Sequence, residues 1–194
     1  MLHLKEYKEL VKSDQILLAT TRNKEYPLKF NDRSTPEARL TRLFRFVQVN
    51  KDNIIGKVLS RTFLRRMGYK YGISLSRSNV IGPGLLIGHW GRIIINGDAV
   101  IGDDFVVSCG VVIGMDMRGK RKGTPTIGNR VCIHSNSCVV GNITIGDDVV
   151  IAPNTFVNFD VPSHSVVVGN PAVIHPRENA TEGYIGEHFI KETE

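Results

Sequence analysis

The sequence predicts a mainly β protein: a solenoid of short parallel strands carrying an α-helical N-terminal segment. Three observations lead there. Isoleucine or valine recurs every six residues over most of the stretch from Ile81 to Val157, glycine directly follows that anchor at six places, and ahead of Ile73 the apolar period is helical instead.

The N-terminal elements come first. Residues 3–13, 36–49 and 53–69 carry apolar positions at helical spacing, among them Leu40, Leu43, Phe44 and Val47, then Ile54, Val58, Leu59 and Phe63. Pro36 follows Ser34-Thr35, the order expected of a cap and a first-turn proline. The polar stretch Thr20 to Thr35 reads as loop, and Gly68 and Gly72 mark where the helices stop.

From Ile73 the period is six. The anchors are Ile81, Ile87, Ile95, Ile101, Val107, Ile113, Ile127, Ile133, Val139, Ile145, Ile151 and Val157, with glycine next at 82, 88, 102, 114, 128 and 146. Four residues after an anchor a small or aliphatic residue recurs: Ala99, Val111, Val131, Ser137, Val149, Thr155. A helix needs a 3.6 period and is destabilised by this glycine density. Short strands meeting at corners satisfy both features, each stacked on its equivalent in the next coil at about 4.8 Å. Three hexads per turn would make a triangular prism of four or five coils; the spacing alone fixes neither handedness nor the three-fold section. The division is residues 1–72 helical, 73–175 solenoid and 176–194 a C-terminal tail.

Composition narrows the function. Of the 194 residues 25 are Lys or Arg and 19 Asp or Glu, a net charge of +6. The basicity is local: residues 1–72 hold 16 basic and 7 acidic side chains, the remainder 9 and 12. The N-terminal segment shows no nucleic-acid recognition pattern, so nucleic acid is not an expected partner. No apolar run reaches the roughly 18 to 20 residues of a membrane span, and the opening MLHLKEYKEL is unlike a signal peptide. A cytoplasmic protein is expected, and the charge of the basic helices leaves two uses open, a subunit contact or peripheral attraction to an anionic membrane, between which the sequence does not choose. Three cysteines without CxxC spacing read as reduced thiols, and Cys132 and Cys138, six apart, fall on consecutive faces rather than stacked coils.

A regular solenoid has no chemistry, so function is expected where the period breaks. Ile87 to Ile95 spans eight residues instead of six and contains Gly88-His89-Trp90-Gly91. Ile113 to Ile127 spans fourteen and carries Met115 to Gly123, a basic loop flanked by glycine. His89 is the candidate general base, because imidazole titrates near neutral pH and takes a hydroxyl proton as the oxygen attacks an acyl carbon. His134 and His164 have weaker claims. They and His89 also lack the spacing of a three-histidine zinc site, and no metal is expected.

INGDAVIGDDFVVSCGVVIG, PTIGNRVCIHSNSCVVGNITIGDDVVIAPNTFV and VPSHSVVVGNPAVI together resemble the bacterial hexapeptide-repeat acyltransferases over roughly Gly72 to Ile174. The resemblance implies a left-handed parallel β-helix, acetyl-CoA as cosubstrate, and a homotrimer with its active sites at the subunit interfaces. The IGHWGRIIIN stretch is similar to the catalytic coil of the serine acetyltransferase branch, which implies His89 as general base. It further implies that the pantetheine arm of CoA runs along coil edges at Gly114, Ser135 and Pro153. Lys120, Arg121 and Lys122 are then candidates for the CoA phosphates, and Trp90, Asp116 and Thr124 for the acceptor, with packing at the trimer seam the equal alternative for Trp90.

Departures from that branch matter too. Ser74 and Gly88 stand where it has aspartates, and Gly123-Thr124 stand where it has Arg-His ahead of Pro125. A free amino acid wants an arginine for its carboxylate. The variant resembles the serine-acetyltransferase-like proteins of polysaccharide biosynthesis, with a sugar hydroxyl as acceptor. Serine O-acetylation is the alternative.

Overall fold

A computed structural model of the chain describes residues 3–186. The helices are α1 (Leu4–Thr21), α2 (Phe30–Arg33), α3 (Pro36–Val49), α4 (Ile54–Leu59) and α5 (Arg65–Tyr71), with one π-helical turn, Ser60–Leu64, joining the last two. α1 runs eight residues beyond the expected end at 13, because Ile16, Leu17 and Ala19 continue its apolar stripe and are buried. The predicted loop holds the single-turn α2. α3 starts as its sequence dictates: Pro36 occupies the first turn and the Ala38 N–H donates to Thr35 Oγ1 at 3.3 Å. Leu40, Phe44 and Val47 are fully buried. The stripe from Ile54 to Phe63 behaves differently. Ile54, Val58 and Phe63 are exposed, since α4 meets the rest of the molecule through Gly56, where an added Cβ would lie 1.9 Å from the Asn50 carbonyl oxygen.

The solenoid has about five turns. The first coil is β1 (Ile73–Ser74), β2 (Val80–Ile81) and β3 (Leu85–Ile87); the second is β4 (Ile93–Ile95), β5 (Val100–Ile101) and β6 (Phe105–Val107). The third is β7 (Val112–Gly114), β8 (Thr126–Ile127) and β9 (Val131–Ile133); the fourth is β10 (Cys138–Val140), β11 (Thr144–Ile145) and β12 (Val149–Ile151). β13 (Phe156–Val157) and β14 (Ser165–Gly169) begin a fifth, and β15 (Ala172–Pro176) turns back antiparallel on β14 and covers its edge. Three parallel sheets result, β1-β4-β7-β10-β13, β2-β5-β8-β11 and β3-β6-β9-β12-β14, the last extended by β15. They are called here the first, second and third faces. All twelve hexad anchors are at most 4% exposed, and the six residues four places after them are equally buried. The hexad is therefore the core pattern: one anchor per strand, pointing inward.

Glycine at the corners between the second and third faces is required by backbone approach. A Cβ at Gly82 would meet Gly102 C at 2.8 Å, one at Gly102 would meet Gly128 O at 2.8 Å, and one at Gly128 would meet Gly146 C at 2.9 Å. Two residues on, the chain turns through the left-handed region in every coil, at Gly84, Asp104, Arg130, Asp148 and His164.

The helices close the first coil. Arg45, on α3, is fully buried; its guanidinium reaches Asp14 of α1 and donates to the Ile81 and Gly82 carbonyls, both at 2.7 Å. The third face is covered on its outside. Leu86, Val106, Cys132 and Val150 point outward from it and pack beneath Leu17 of α1 and Ala180 and Ile185 of the tail. Val80, Val100, Ile94 and Phe156, outward on the other two faces, are exposed. No helix among the described residues is long and apolar enough to cross a membrane.

Candidate active site

The corner from β3 to β4 carries the two extra residues of the eight-residue interval. In the next coil Val107 and Val112 bracket the same corner, and the register pairs Ile87 with Val107 and Ile94 with Val112. Six residues, 88–93, therefore turn the corner in the first coil where four, 108–111, turn it in the second. The surplus is extruded as Gly88 to Arg92, and His89 and Trp90 are exposed at its tip, Trp90 by 62%.

That extrusion is held at three points, each from a different helix. Arg22, just past α1, donates from Nη2 to the Gly88 carbonyl at 2.7 Å; the Trp90 N–H donates to Glu37 Oε1, in the first turn of α3, at 2.8 Å; the Gly91 N–H donates to the carbonyl of Tyr71, the last residue of α5, at 3.0 Å. No described residue hydrogen-bonds the His89 ring, so its backbone is fixed while its imidazole faces solvent. Ser74 lies in β1, paired with Ile94 rather than beside His89. Arg22 and Glu37 were not legible as contributors. They lie 67 and 52 residues before the histidine and carry no local motif.

The other candidates divide between two edges of the prism. Ser135 and Pro153 lie on the same edge as His89, in the corners after β9 and β12. Strand spacing puts them about 10 and 14 Å along the solenoid from the His89 coil. Cys109 joins that edge, its Sγ 3.7 Å from Ser135 Oγ, and successive corners are tied by Asn136 N–H to Cys109 O and Asn154 N–H to Ser135 O. Small side chains dominate this track. Gly114 does not share it: it ends β7 on the edge between the first and second faces, together with the loop to β8.

The loop is anchored by its own atoms. Asp116 and Gly123 exchange two backbone hydrogen bonds at 3.0 Å, Asp116 Oδ1 accepts from the Arg118 N–H at 3.0 Å, and the Asn142 N–H donates to the Arg121 carbonyl at 2.8 Å. Thr124 donates to the Asp98 carbonyl at 3.1 Å, tying the loop's end to the coil before it. Lys120, Arg121 and Lys122 are exposed at the tip. Within the chain, then, His89, Trp90, Ser135 and Pro153 share an edge, and Gly114, Asp116, Lys120, Arg121, Lys122 and Thr124 share another.

His134 and His164 have local partners. His134 meets the Tyr184 ring edge-on at 5.0 Å, and burial pushes its pKa below the usual imidazole value. His164 Nδ1 lies 2.9 Å from Asp148 Oδ2, a hydrogen bond that raises its pKa. Cys132 lies on the third face and Cys138 on the first, both pointing outward; burial under the tail pushes the Cys132 thiol up to about 12.

Comparison with known proteins agrees with this architecture. Residues 124–158 match the family model described as bacterial transferase hexapeptide (six repeats). The chain is 40% identical over 101 residues to the serine acetyltransferase of Helicobacter pylori, covering 52% of this chain and 59% of that protein. It is 34% identical over 131 residues to the serine acetyltransferase of Staphylococcus xylosus, covering 68% of this chain and 61% of that one. The crystal structure of the Neisseria gonorrhoeae serine acetyltransferase aligns with a TM-score of 0.74 at 22% identity, covering 89% of this chain and 66% of that chain. That likeness is one of fold. The chain spans about three fifths of the length of the two relatives.

Proposed function

We propose that the chain is an acetyl-CoA-dependent O-acetyltransferase with His89 as its general base. The observation that carries the reading is the extruded corner: one imidazole, on a backbone fixed by three helices, stands at the head of an edge of small residues. Imidazole near neutral pH accepts the proton of an acceptor hydroxyl as the oxygen bonds to the acyl carbon. Acetyl-CoA supplies that carbon as a thioester, whose C–S bond breaks as CoA leaves and takes the proton back from the imidazolium as a thiol. Arg22, Glu37 and Tyr71 position the corner without touching the reacting atoms, and the edge past Cys109, Ser135 and Pro153 offers an extended track for the pantetheine arm.

The loop with Lys120, Arg121 and Lys122 stands on a different edge, so its contact with the same CoA molecule requires a second protomer. This supports a homotrimer with sites between subunits. The exposed Val80 and Val100 on the second face and Phe156 on the first are apolar surface of the kind such packing buries.

The relatives' names favour serine as the acceptor over the sugar hydroxyl that the sequence puts first. One observation keeps the sugar reading: Trp90, beside the base, offers an exposed indole face for a sugar ring, while Gly88 and Ser74 supply no carboxylate for an amino group. The deciding experiment follows thiol release from acetyl-CoA with L-serine and with a panel of sugars, for wild type and His89→Ala. Turnover with serine establishes that acceptor, turnover with sugars alone restores the other, and full activity of His89→Ala removes the mechanism.

A further inference from the structure

On the first-face side of the His89 corner lies an open groove of about 500 Å³, walled by the π-helical turn and α5 on one side and by β1 and β4 on the other. The volume falls within the range of small-molecule sites. Its lining includes Arg61, Arg65 and Arg92 with the serines Ser60, Ser74 and Ser76, and no aspartate or glutamate. None of the salt bridges among the described residues involves these three arginines. Three arginines thus line one concavity whose lining holds no carboxylate to neutralise them.

The geometry around them is built. The π turn inserts an extra residue into the helix and so changes the direction in which Ser60 and Arg61 leave it, a distortion found often at functional sites. Arg65 is oriented by its neighbour: Nε donates to Tyr69 Oη at 2.7 Å and the guanidinium lies 5.4 Å from that ring's centroid. Arg92 ends the extruded corner, three residues after His89. Gly72, in the left-handed conformation at φ 70°, lets the chain pass so close that a Cβ there would lie 3.3 Å from Arg92 N and Gly91 C.

We infer that this groove is a phosphate-binding site that holds a phosphorylated ligand against the base-bearing corner. Planar guanidinium forks match phosphate oxygens two at a time, and three of them exceed what a single carboxylate would use. Two sources share that chemistry: a phosphate on the acceptor, which fits a CoA track leading away from the first coil, and the phosphates of CoA, which would require the arm to run the opposite way. The source rests on the acetyltransferase reading; the binding site does not.

Titration of the full chain with inorganic pyrophosphate, followed by calorimetry, tests the site directly. Wild type is expected to bind, more weakly as salt rises, and Arg61→Gln/Arg65→Gln to lose at least tenfold in affinity while keeping the wild-type melting temperature. Equal affinity in both proteins, or no binding to wild type, overturns the proposal. Turnover then assigns the source. A tenfold rise in KM for a sugar 1-phosphate but not for its unphosphorylated parent places the acceptor in the groove, and a rise in KM for acetyl-CoA but not for acetyl-pantetheine places CoA there. If wild type turns over no acceptor, the activity reading fails while the pyrophosphate result still decides the site.

Discussion

Arg45 Nη2 and Asp14 Oδ1 stand 2.8 Å apart, with Arg45 Nε a further 2.9 Å from Asp14 Oδ2, in a pair that is almost wholly buried. Every part of it is used. Asp14 Oδ1 also accepts from the Leu85 N–H at 2.7 Å, and Arg45 also reaches Gln48 Oε1 at 2.9 Å. One guanidinium thus joins α1, α3 and the end of the first coil, where the Ile81 and Gly82 carbonyls have no preceding coil to pair with.

Removing one partner leaves a buried charge unpaired. Arg45→Met is expected to destabilise the chain by about 3–5 kcal/mol, and the double replacement Asp14→Leu/Arg45→Met by clearly less, since the isolated carboxylate is then gone. Urea unfolding of the three proteins checks this. A double variant as unstable as the single one would mean that the hydrogen bonds to the coil, not the pairing of charges, set the cost.

His89→Ala is expected to lower kcat by about 100-fold or more with unchanged circular dichroism, the range for loss of a general base. Glu37→Ala removes the acceptor of the Trp90 N–H and should lower turnover by a smaller factor through looser positioning of the corner. Glu37→Gln retains an acceptor oxygen and should recover most of the loss. Steady-state kinetics on the three variants tests the order.

Glycines at two corners should respond differently to alanine. At Gly102 a Cβ would meet Gly128 backbone atoms at 2.8 and 2.9 Å, whereas at Gly88 the nearest atom is Val107 O at 3.5 Å. Gly102→Ala should cost about 2 kcal/mol or more through displaced coils, and Gly88→Ala less than about 1 kcal/mol. Thermal melts of both variants give the comparison.

The tail is held through Asp148, whose carboxylate accepts from the Thr181 hydroxyl and N–H, the Ala180 N–H and His164. Burial works to raise this carboxyl, but those hydrogen bonds outweigh it and hold it at about 2. A depressed carboxyl stabilises the fold above its unfolded value of 3.8, by about 2 kcal/mol, and that contribution disappears as pH falls toward 2. His164 works in the opposite sense: its raised pKa adds stability in full below 6.5, lost as pH climbs through its folded value. The clamp should be tightest between about pH 4 and 6.5. Because the tail covers Cys132, Asp148→Asn should make this thiol react with a maleimide under native conditions, while in wild type it stays protected. Mass-spectrometric labelling reads the difference.

Much of the solenoid was legible because a strand two or three residues long exposes its periodicity directly. The twelve hexad anchors from Ile81 to Val157 each have one inward role, and each is buried. The break at Ile87 to Ile95 was legible for the same reason: two surplus residues in a stacked register have nowhere to go but outward. Arg45 was not. In sequence it is one of many charges on a basic helix, and only the packing of α1 and α3 on the first coil gives it partners.

The sequence by itself determined the repeat, the corners and the extruded histidine, since these depend on contacts between residues one hexad or one coil apart. Tertiary structure alone decided what meets the corner: Arg22, Glu37 and Tyr71 around His89, the separation of Ser135 and Gly114 onto different edges, and the unneutralised groove of Arg61, Arg65 and Arg92. Those relations join segments with no common period, and their geometry is set by how the helices cap the open end of the first coil.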